Sequence, residues 1–201
     1  MKKFPYRVAL CLFSLLLLGG GCTTSETAVP EAMVIDSKTM IEEPKYAFPG
    51  VLDAEKIEGK QIRVKTEKGD IVFELFADTA PKTVSNFVYL TELGYYDGLV
   101  YHRREEGFVI QGGDPKGNGT GGPGYKFEDE LTDDYTYERG IVAMANSGKN
   151  TNGSQYFIML KDTPLPKLYT VFGRVTEGMD VVDKIKVGDK MVEVTVEDES
   201  K

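Results

Sequence analysis

The sequence predicts a mainly β fold, an antiparallel barrel with helices at its ends, and three observations predict it. About eight short apolar runs have strand length and spacing, only two stretches carry helical spacing, and turn residues separate neighbouring runs throughout. Closing such a sheet on itself removes exposed edges, which makes a closed eight-stranded barrel capped by two helices the expected architecture. The 201 residues, 41% hydrophobic and 10% aromatic, leave room for one globular domain. A folded unit of about 140 residues buries roughly two-thirds of its unfolded surface and needs no disulfide or metal to hold it.

The elements follow in order. Ile62 and Val64 alternate with polar residues, Glu67-Lys68-Gly69-Asp70 turns, and Ile71, Phe73 and Leu75 alternate again, which is a β-hairpin signature. Ala80-Pro81 opens a helix, with Thr79 as N-cap and proline in the first turn, where its missing donor costs nothing. Val84, Phe87, Val88 and Leu90 fall at helical spacing, and Gly94 stops the helix. Strands are expected at 99–103, 108–111, 141–146, 155–160, 171–175 and 191–196, with a second short helix in EGMDVVDKIK. No internal repeat is present.

Ahead of the domain, Lys2, Lys3 and Arg7 precede the apolar run VALCLFSLLLL, too short to span a bilayer comfortably, and then come Gly19, Gly20, Gly21 and Cys22. Residues 1–21 therefore read as a signal peptide. Small residues before a cysteine resemble the lipobox of bacterial lipoproteins, although the leucine usual three places before the cysteine is here one place further back, at Leu18. The expectation is an exported chain whose Cys22 carries a diacylglycerol, enough for stable attachment to the outer side of a bacterial membrane; the alternatives are secretion with cleavage nearby and an uncleaved anchor. Residues 22–56, polar and punctuated by proline, read as a tether with a reach of roughly 30 Å, and AMVIDSKTMI within it as either tether or a short packed element. The expected organisation is then three segments: a signal peptide at 1–21, a tether at 22–56 and a domain at 57–198.

Charge excludes one class of partner. Loss of Lys2, Lys3 and Arg7 with the signal takes the net charge from −8 to −11, and a strongly acidic protein is a poor ligand for nucleic acid and is not drawn to anionic lipid by its own surface.

The stretch GGDPKGNGTGGPG, residues 112–124, contains G-x-G-x-x-G twice. A dinucleotide site needs a helix opening on the last glycine, and here Pro123 interrupts the glycines and the acidic run YKFEDELTDD follows. No Gly-Lys-Ser/Thr follows either, so nucleotide binding is excluded. Metal and triad chemistry fare no better: His102 is the only histidine and both cysteines, Cys11 and Cys22, precede the domain. A lone histidine between Tyr101 and Arg103 is more often structural than a general base.

The blocks YHRREEGFVIQGGDPKGNGTGGPGYKFEDE, GIVAMANSGKNTNGSQYFIML and YTVFGRVTEGMDVVDKI resemble the successive signatures of the cyclophilin family of peptidyl-prolyl isomerases, over residues 60–196. The resemblance implies an isomerase that accelerates rotation of X-Pro bonds, acts on proline-containing polypeptides, assists the folding of exported proteins, and needs neither cofactor nor metal. It implies that Arg103 is the catalytic residue. It also implies that Phe108, Val109 and Phe157 wall the proline pocket, with Gln111 beside the arginine and Val109 in place of a common methionine. His102, Gly121, Ala145, Asn146, Ser147 and Gln155 join the substrate groove, with glycines 119–122 bordering the site for residues that precede proline. The match loosens at KDTPLPKLYTVFG, one residue shorter than in many relatives and without their tryptophan or histidine; Leu165 takes that aromatic position, and Tyr169 stands where histidine or tyrosine occurs. Weak cyclosporin inhibition and a monomeric state are expected. The competing function is a proline-binding holdase that uses the same groove with little turnover.

Overall fold

The alternating apolar runs assemble into one antiparallel sheet of eight strands in the computed structural model, which describes residues 46–199. In chain order the elements are α1 (Ala54–Ile57), β1 (Lys60–Thr66), β2 (Gly69–Leu75), α2 (Pro81–Glu92), β3 (Arg103–Glu105), β4 (Val109–Gly112), β5 (Ile141–Met144), β6 (Tyr156–Met159), β7 (Val171–Glu177), α3 (Met179–Lys184) and β8 (Met191–Asp198). Across the sheet the order is β3-β4-β6-β5-β7-β2-β1-β8. The expected signal peptide, Cys22 and most of the expected tether lie outside the described residues.

The hairpin forms as its pattern requires. Ile62 faces Phe73 and Val64 faces Ile71, and all four are fully buried. Thr66 closes the turn, its Oγ1 donating to the Gly69 carbonyl at 2.7 Å and accepting from the Lys68 amide at 3.1 Å.

β5 and β6, IVAM and YFIM, are buried at every position, because the sheet is covered on both faces. Val142, Met144, Tyr156 and Ile158 point into the main core, while Ile141, Ala143, Phe157 and Met159 belong to a second, smaller apolar cluster on the opposite face. In the main core Phe87 of α2 stacks on Tyr96 with ring centres 4.5 Å apart and meets Tyr156 edge-on at 5.3 Å.

The closed ring of strands expected from the sequence is not what strand pairing makes: β3 and β8 are the two ends of an open ladder. The cause is residues 99–103, expected as a strand. They contribute a single bridge, Val100 to Lys190, and strand geometry begins only at Arg103. Backbone bonds from Gly98 to Met191 (2.7 Å), Met191 to Leu99 (2.8 Å) and Tyr101 to Asp189 (2.9 Å) carry this irregular segment along the start of β8.

Helix α2 starts and stops where expected, but its cap is a different residue. Thr79 does not cap it: the residue before Pro81 is Ala80, with no side-chain cap of its own, and the Thr79 hydroxyl is buried without a partner among the described residues. Glu130 takes the role from a distant loop, accepting the Lys82 amide at 3.0 Å and the Thr83 amide at 2.9 Å. At the far end the Gly94 amide bonds the Thr91 carbonyl (2.9 Å) and the Tyr95 amide the Leu90 carbonyl (3.0 Å), the paired closure of a Schellman motif.

The domain begins earlier than residue 57. Tyr46, Phe48 and Leu52, assigned to the tether by composition, pack against the main core, and the short helix α1 buries Ile57. A polar, proline-marked segment conceals this because its few apolar residues are too sparse to show a period.

Candidate active site

Strand register builds the site. Arg103 of β3 faces Gln111 of β4, Gln111 faces Phe157 of β6, and Phe157 faces Ala143 of β5. Directly opposed residues in an antiparallel ladder share a face, so a cation, an amide and an aromatic ring line up in one row on the outer face of the sheet. Two residues along, Val109 faces Met159 in the next row and continues the apolar floor. Val109 and Phe157 are 1% and 5% exposed, which makes this floor a continuation of the second apolar cluster.

Above that floor lies a cavity of about 260 Å³. Phe108, Val109 and Phe157 supply its apolar surface, Leu165 and Tyr169 close it from the opposite loop, and Arg103, Gln111, Ala145 and Asn146 form its polar rim. The Tyr169 ring stands edge-on to Phe157 at 5.5 Å. Tyr169 is itself held at both ends of its peptide unit, its amide donating to the Tyr137 hydroxyl at 3.1 Å and its carbonyl accepting from it at 2.9 Å. Lys167 anchors the same loop through Asp133 and the Tyr135 carbonyl.

The rim is a chain of hydrogen bonds. The Arg103 guanidinium donates from Nη1 to Gln111 Oε1 (2.9 Å), from Nε to Glu105 Oε1 (3.0 Å) and from Nη2 to the same oxygen (2.5 Å), and its Cζ lies 5.8 Å from the Phe108 ring centre. Gln111 Nε2 passes on to Gln155 Oε1 at 2.9 Å. Gln155 Nε2 ends the chain on the carbonyls of Gly119 (3.0 Å) and Gly121 (2.9 Å). The glycine stretch is thereby tied to the arginine through two glutamines.

That stretch is a built wall. Asp114, 1% exposed, accepts the amides of Lys116 at 2.8 Å, Asn118 at 3.0 Å and Gly119 at 2.5 Å. Burial pushes its carboxyl upward, but these backbone amides together with that of Gly121 outweigh burial and hold it below the ordinary aspartate range. A Cβ on Gly121 would sit 2.0 Å from Asp114 Oδ1, and one on Gly113, where φ is 81°, would sit 2.3 Å from the Ser154 carbonyl oxygen. Only glycine fits either place.

The wall borders a second cavity, about 230 Å³, which shares Gln111, Ala145 and Asn146 with the first. Gly121, Ser147 and Gln155 line it. Asn146 is oriented by donating from Nδ2 to the Leu168 carbonyl at 2.9 Å, and the Ala145 amide donates to the Gln155 carbonyl at 2.9 Å.

Of the residues singled out from sequence within residues 46–199, all but one line these two adjoining cavities. His102 lines neither: it lies under the wall, 3.9 Å from the position a Gly119 side chain would take, and both ring nitrogens are buried without a hydrogen-bond partner among the described residues. Burial holds its imidazole below the ordinary range, with Asp114 opposing and Arg103 reinforcing that shift. Sequence reasoning did not name Tyr125, Lys126, Thr151, Gly153 and Ser154 of the second cavity. Their only signal was adjacence to the glycine wall and to Gln155, since taken singly they are ordinary loop residues.

Chemically, the arrangement is an apolar cup with one fixed cation at its lip and peptide-binding amides along one side. It can hold a compact apolar ring flanked by main-chain carbonyls. The family model described as cyclophilin type peptidyl-prolyl cis-trans isomerase/CLD matches residues 61–200. A peptidyl-prolyl cis-trans isomerase of Arabidopsis thaliana is 50% identical over 127 residues, 61% of this chain and 79% of its own. Peptidyl-prolyl cis-trans isomerase B of Bacillus subtilis is 49% identical over 129 residues, 63% of this chain and 90% of its own. Among solved structures, a cyclophilin type peptidyl-prolyl cis-trans isomerase of Cryptosporidium parvum superposes with a TM-score of 0.65 at 34% identity, covering 70% of this chain and 99% of that one; a second crystal structure, determined in the presence of the dipeptide Ala-Pro, gives 0.61 at 36%.

Proposed function

The chain belongs to the cyclophilin-type peptidyl-prolyl cis-trans isomerase family and catalyses rotation about X-Pro peptide bonds, and from that premise we propose that Arg103 is its catalytic residue and that the 260 Å³ cavity seats the prolyl ring. Rotation about the peptide C–N bond costs about 18–20 kcal/mol because conjugation gives that bond partial double character. No bond is made or broken. Catalysis requires only that the twisted amide be bound better than either planar form. In the twisted form the prolyl nitrogen recovers a localised lone pair, and a donor aimed at it stabilises that form alone.

The observation that carries the assignment is how Arg103 is held. Of a guanidinium's five N–H donors, one on Nε, one on Nη1 and one on Nη2 are engaged by Glu105 and Gln111, which leaves two without a partner among the described residues at the lip of the cavity. An arginine keeps its charge and its planar geometry whatever the pH of the medium. Phe108, Val109 and Phe157 grip the ring, Asn146 and the strand at Ala145 bind the flanking main chain, and the second cavity takes residues that precede proline. The Ala-Pro dipeptide present with the Cryptosporidium relative supports proline-containing peptides as ligands.

The same reading extends to place and partners. The protein is exported, anchored by lipid on Cys22, monomeric, and assists folding of proteins on the outer side of a bacterial membrane; the signal-like residues 1–21 and the small residues before Cys22 support this. Cyclosporin binds weakly, supported by Leu165 standing in the cavity where relatives have a larger aromatic group.

Comparison of the full-length protein with Arg103→Ala in a proline-peptide isomerisation assay tests the assignment. Loss of a donor that acts only in the transition state lowers kcat/KM by about a hundredfold or more, with peptide binding retained. Equal rates in the two proteins would remove Arg103 from catalysis.

A further inference from the structure

Residues 46–52 precede the region that the family model matches, yet they pack behind the second cavity along three routes. The Tyr46 ring meets Tyr95 edge-on at 5.0 Å; the Tyr95 hydroxyl shares a 2.9 Å hydrogen bond with Ser154 Oγ, and Ser154 lines the cavity. Phe48 stacks flat on Phe127 at 4.9 Å and tilts against Tyr125 at 5.9 Å; Tyr125 is a second lining residue. The Leu52 amide donates to Ser85 Oγ at 2.9 Å. The next residue, Asn86, donates from Nδ2 to the carbonyl of Gly153, a third lining residue, at 2.8 Å and accepts the Tyr125 hydroxyl at 2.6 Å.

The three routes converge on one wall. Ser154, Tyr125 and Gly153 all belong to the 230 Å³ cavity and none to the 260 Å³ cavity where the arginine sits. The wall has no regular strand or helix at Tyr125 or from Gly153 to Gln155; its backbone is tied by one bridge, Phe127 to Asn152, and by the Ala145 amide on the Gln155 carbonyl. Side-chain contacts from residues 46–52 brace it from behind. Ser154 Oγ also donates to the Gly113 carbonyl at 2.7 Å, which carries the same restraint to the first turn of the glycine wall.

We propose that residues 46–52 form a positioning strap, with Tyr46 and Phe48 its positioning residues, that sets the shape of the second cavity and thereby which residues ahead of proline the enzyme accepts. The proposal rests on the reading that the two adjoining cavities are the substrate groove. It assigns the strap an effect on substrate range and none on the rotation step, since none of the residues it contacts lines the proline cup.

The test uses full-length protein and two substrates, a blocked X-Pro dipeptide that fills the first cavity and a blocked tetrapeptide with two further residues ahead of X-Pro that reach the second. Phe48→Ala removes two ring contacts, and KM for the tetrapeptide rises about threefold to tenfold with kcat little changed. The dipeptide is unaffected, and Phe48→Tyr restores wild-type behaviour. Equal losses on both substrates, or no loss on either, overturn the proposal. Arg103→Ala measured alongside separates the two levels: full activity of that variant on both substrates overturns the underlying groove reading, whereas lost activity there with an indifferent Phe48→Ala overturns the strap alone.

Discussion

His102 and Arg103 are neighbours in sequence with opposite fates. Arg103 opens β3 on the row shared with Gln111 and Phe157, whereas His102 ends the irregular segment before that strand and lies under the glycine wall. The resemblance placed both residues at the site, and no strand periodicity reaches back to His102 to separate them. The buried imidazole has a measurable consequence. Its folded-state pKa lies below the unfolded value of about 6.5, so the unfolded chain takes up the proton first as pH falls. Stability conferred by neutral His102 is complete above that value and declines as pH drops below it toward the folded-state pKa. Since His102 is the only histidine and ordinary carboxylates titrate lower, a fall in denaturant-unfolding free energy between about pH 6.5 and 5.5 belongs to this residue. Urea unfolding across that range shows the decline in wild type, and His102→Phe flattens it; an unchanged slope in the variant would assign the proton elsewhere.

Among the elements, helix α2 shows where local sequence suffices and where it does not. Its apolar spacing, Pro81 and Gly94 mark its extent from sequence, and the structure agrees to within two residues at each end. The cap could not be read in the same way, because Glu130 is about fifty residues away and reaches the Lys82 and Thr83 amides only once the chain has folded. A carboxylate on the second and third amides satisfies two unpaired donors and complements the positive end of the helix. Glu130→Ala therefore costs about 1–2 kcal/mol in chemical unfolding, while Thr79→Ala, at the position the local pattern favours, costs less than about 0.5 kcal/mol. A reversed order of the two variants would return the cap to Thr79. The same division runs through the site. Arg103, Gln111 and Phe157 were legible because each lies in a sequence block that resembles the family's, whereas Tyr125, Gly153 and Ser154 come to the groove on loops that contacts from residues 46–52 and α2 brace. The strand ladder's open ends escaped notice for a related reason: Leu99, Val100 and Tyr101 have strand composition, but their backbone bonds are spent on the start of β8 outside regular pairing.

For the whole molecule, charge decides how it can be held at a membrane. On the proposed cleavage before Cys22, the chain would carry −11, three more negative than the full sequence at −8, because Lys2, Lys3 and Arg7 would leave with the first 21 residues. Anionic headgroups repel such a surface, so a peripheral electrostatic attachment is not available to it. On the proposed lipid anchor, acyl burial supplies the attachment: each buried methylene contributes about 0.8 kcal/mol, and one acyl chain is marginal where two are stable. Those two chains are what a diacylglycerol on Cys22 provides. Intact mass of the protein purified from membranes therefore begins at Cys22 with a diacylglycerol added, and membrane association survives high salt, which screens charge but leaves acyl burial intact. Cys22→Ser abolishes both the added mass and the membrane association while leaving isomerase activity unchanged, since residue 22 lies well before Tyr46, the first of the described residues that packs on the core. An unmodified Cys22 in the membrane-bound protein would end the lipid-anchor proposal and leave the apolar run at 8–18 as the segment that holds it.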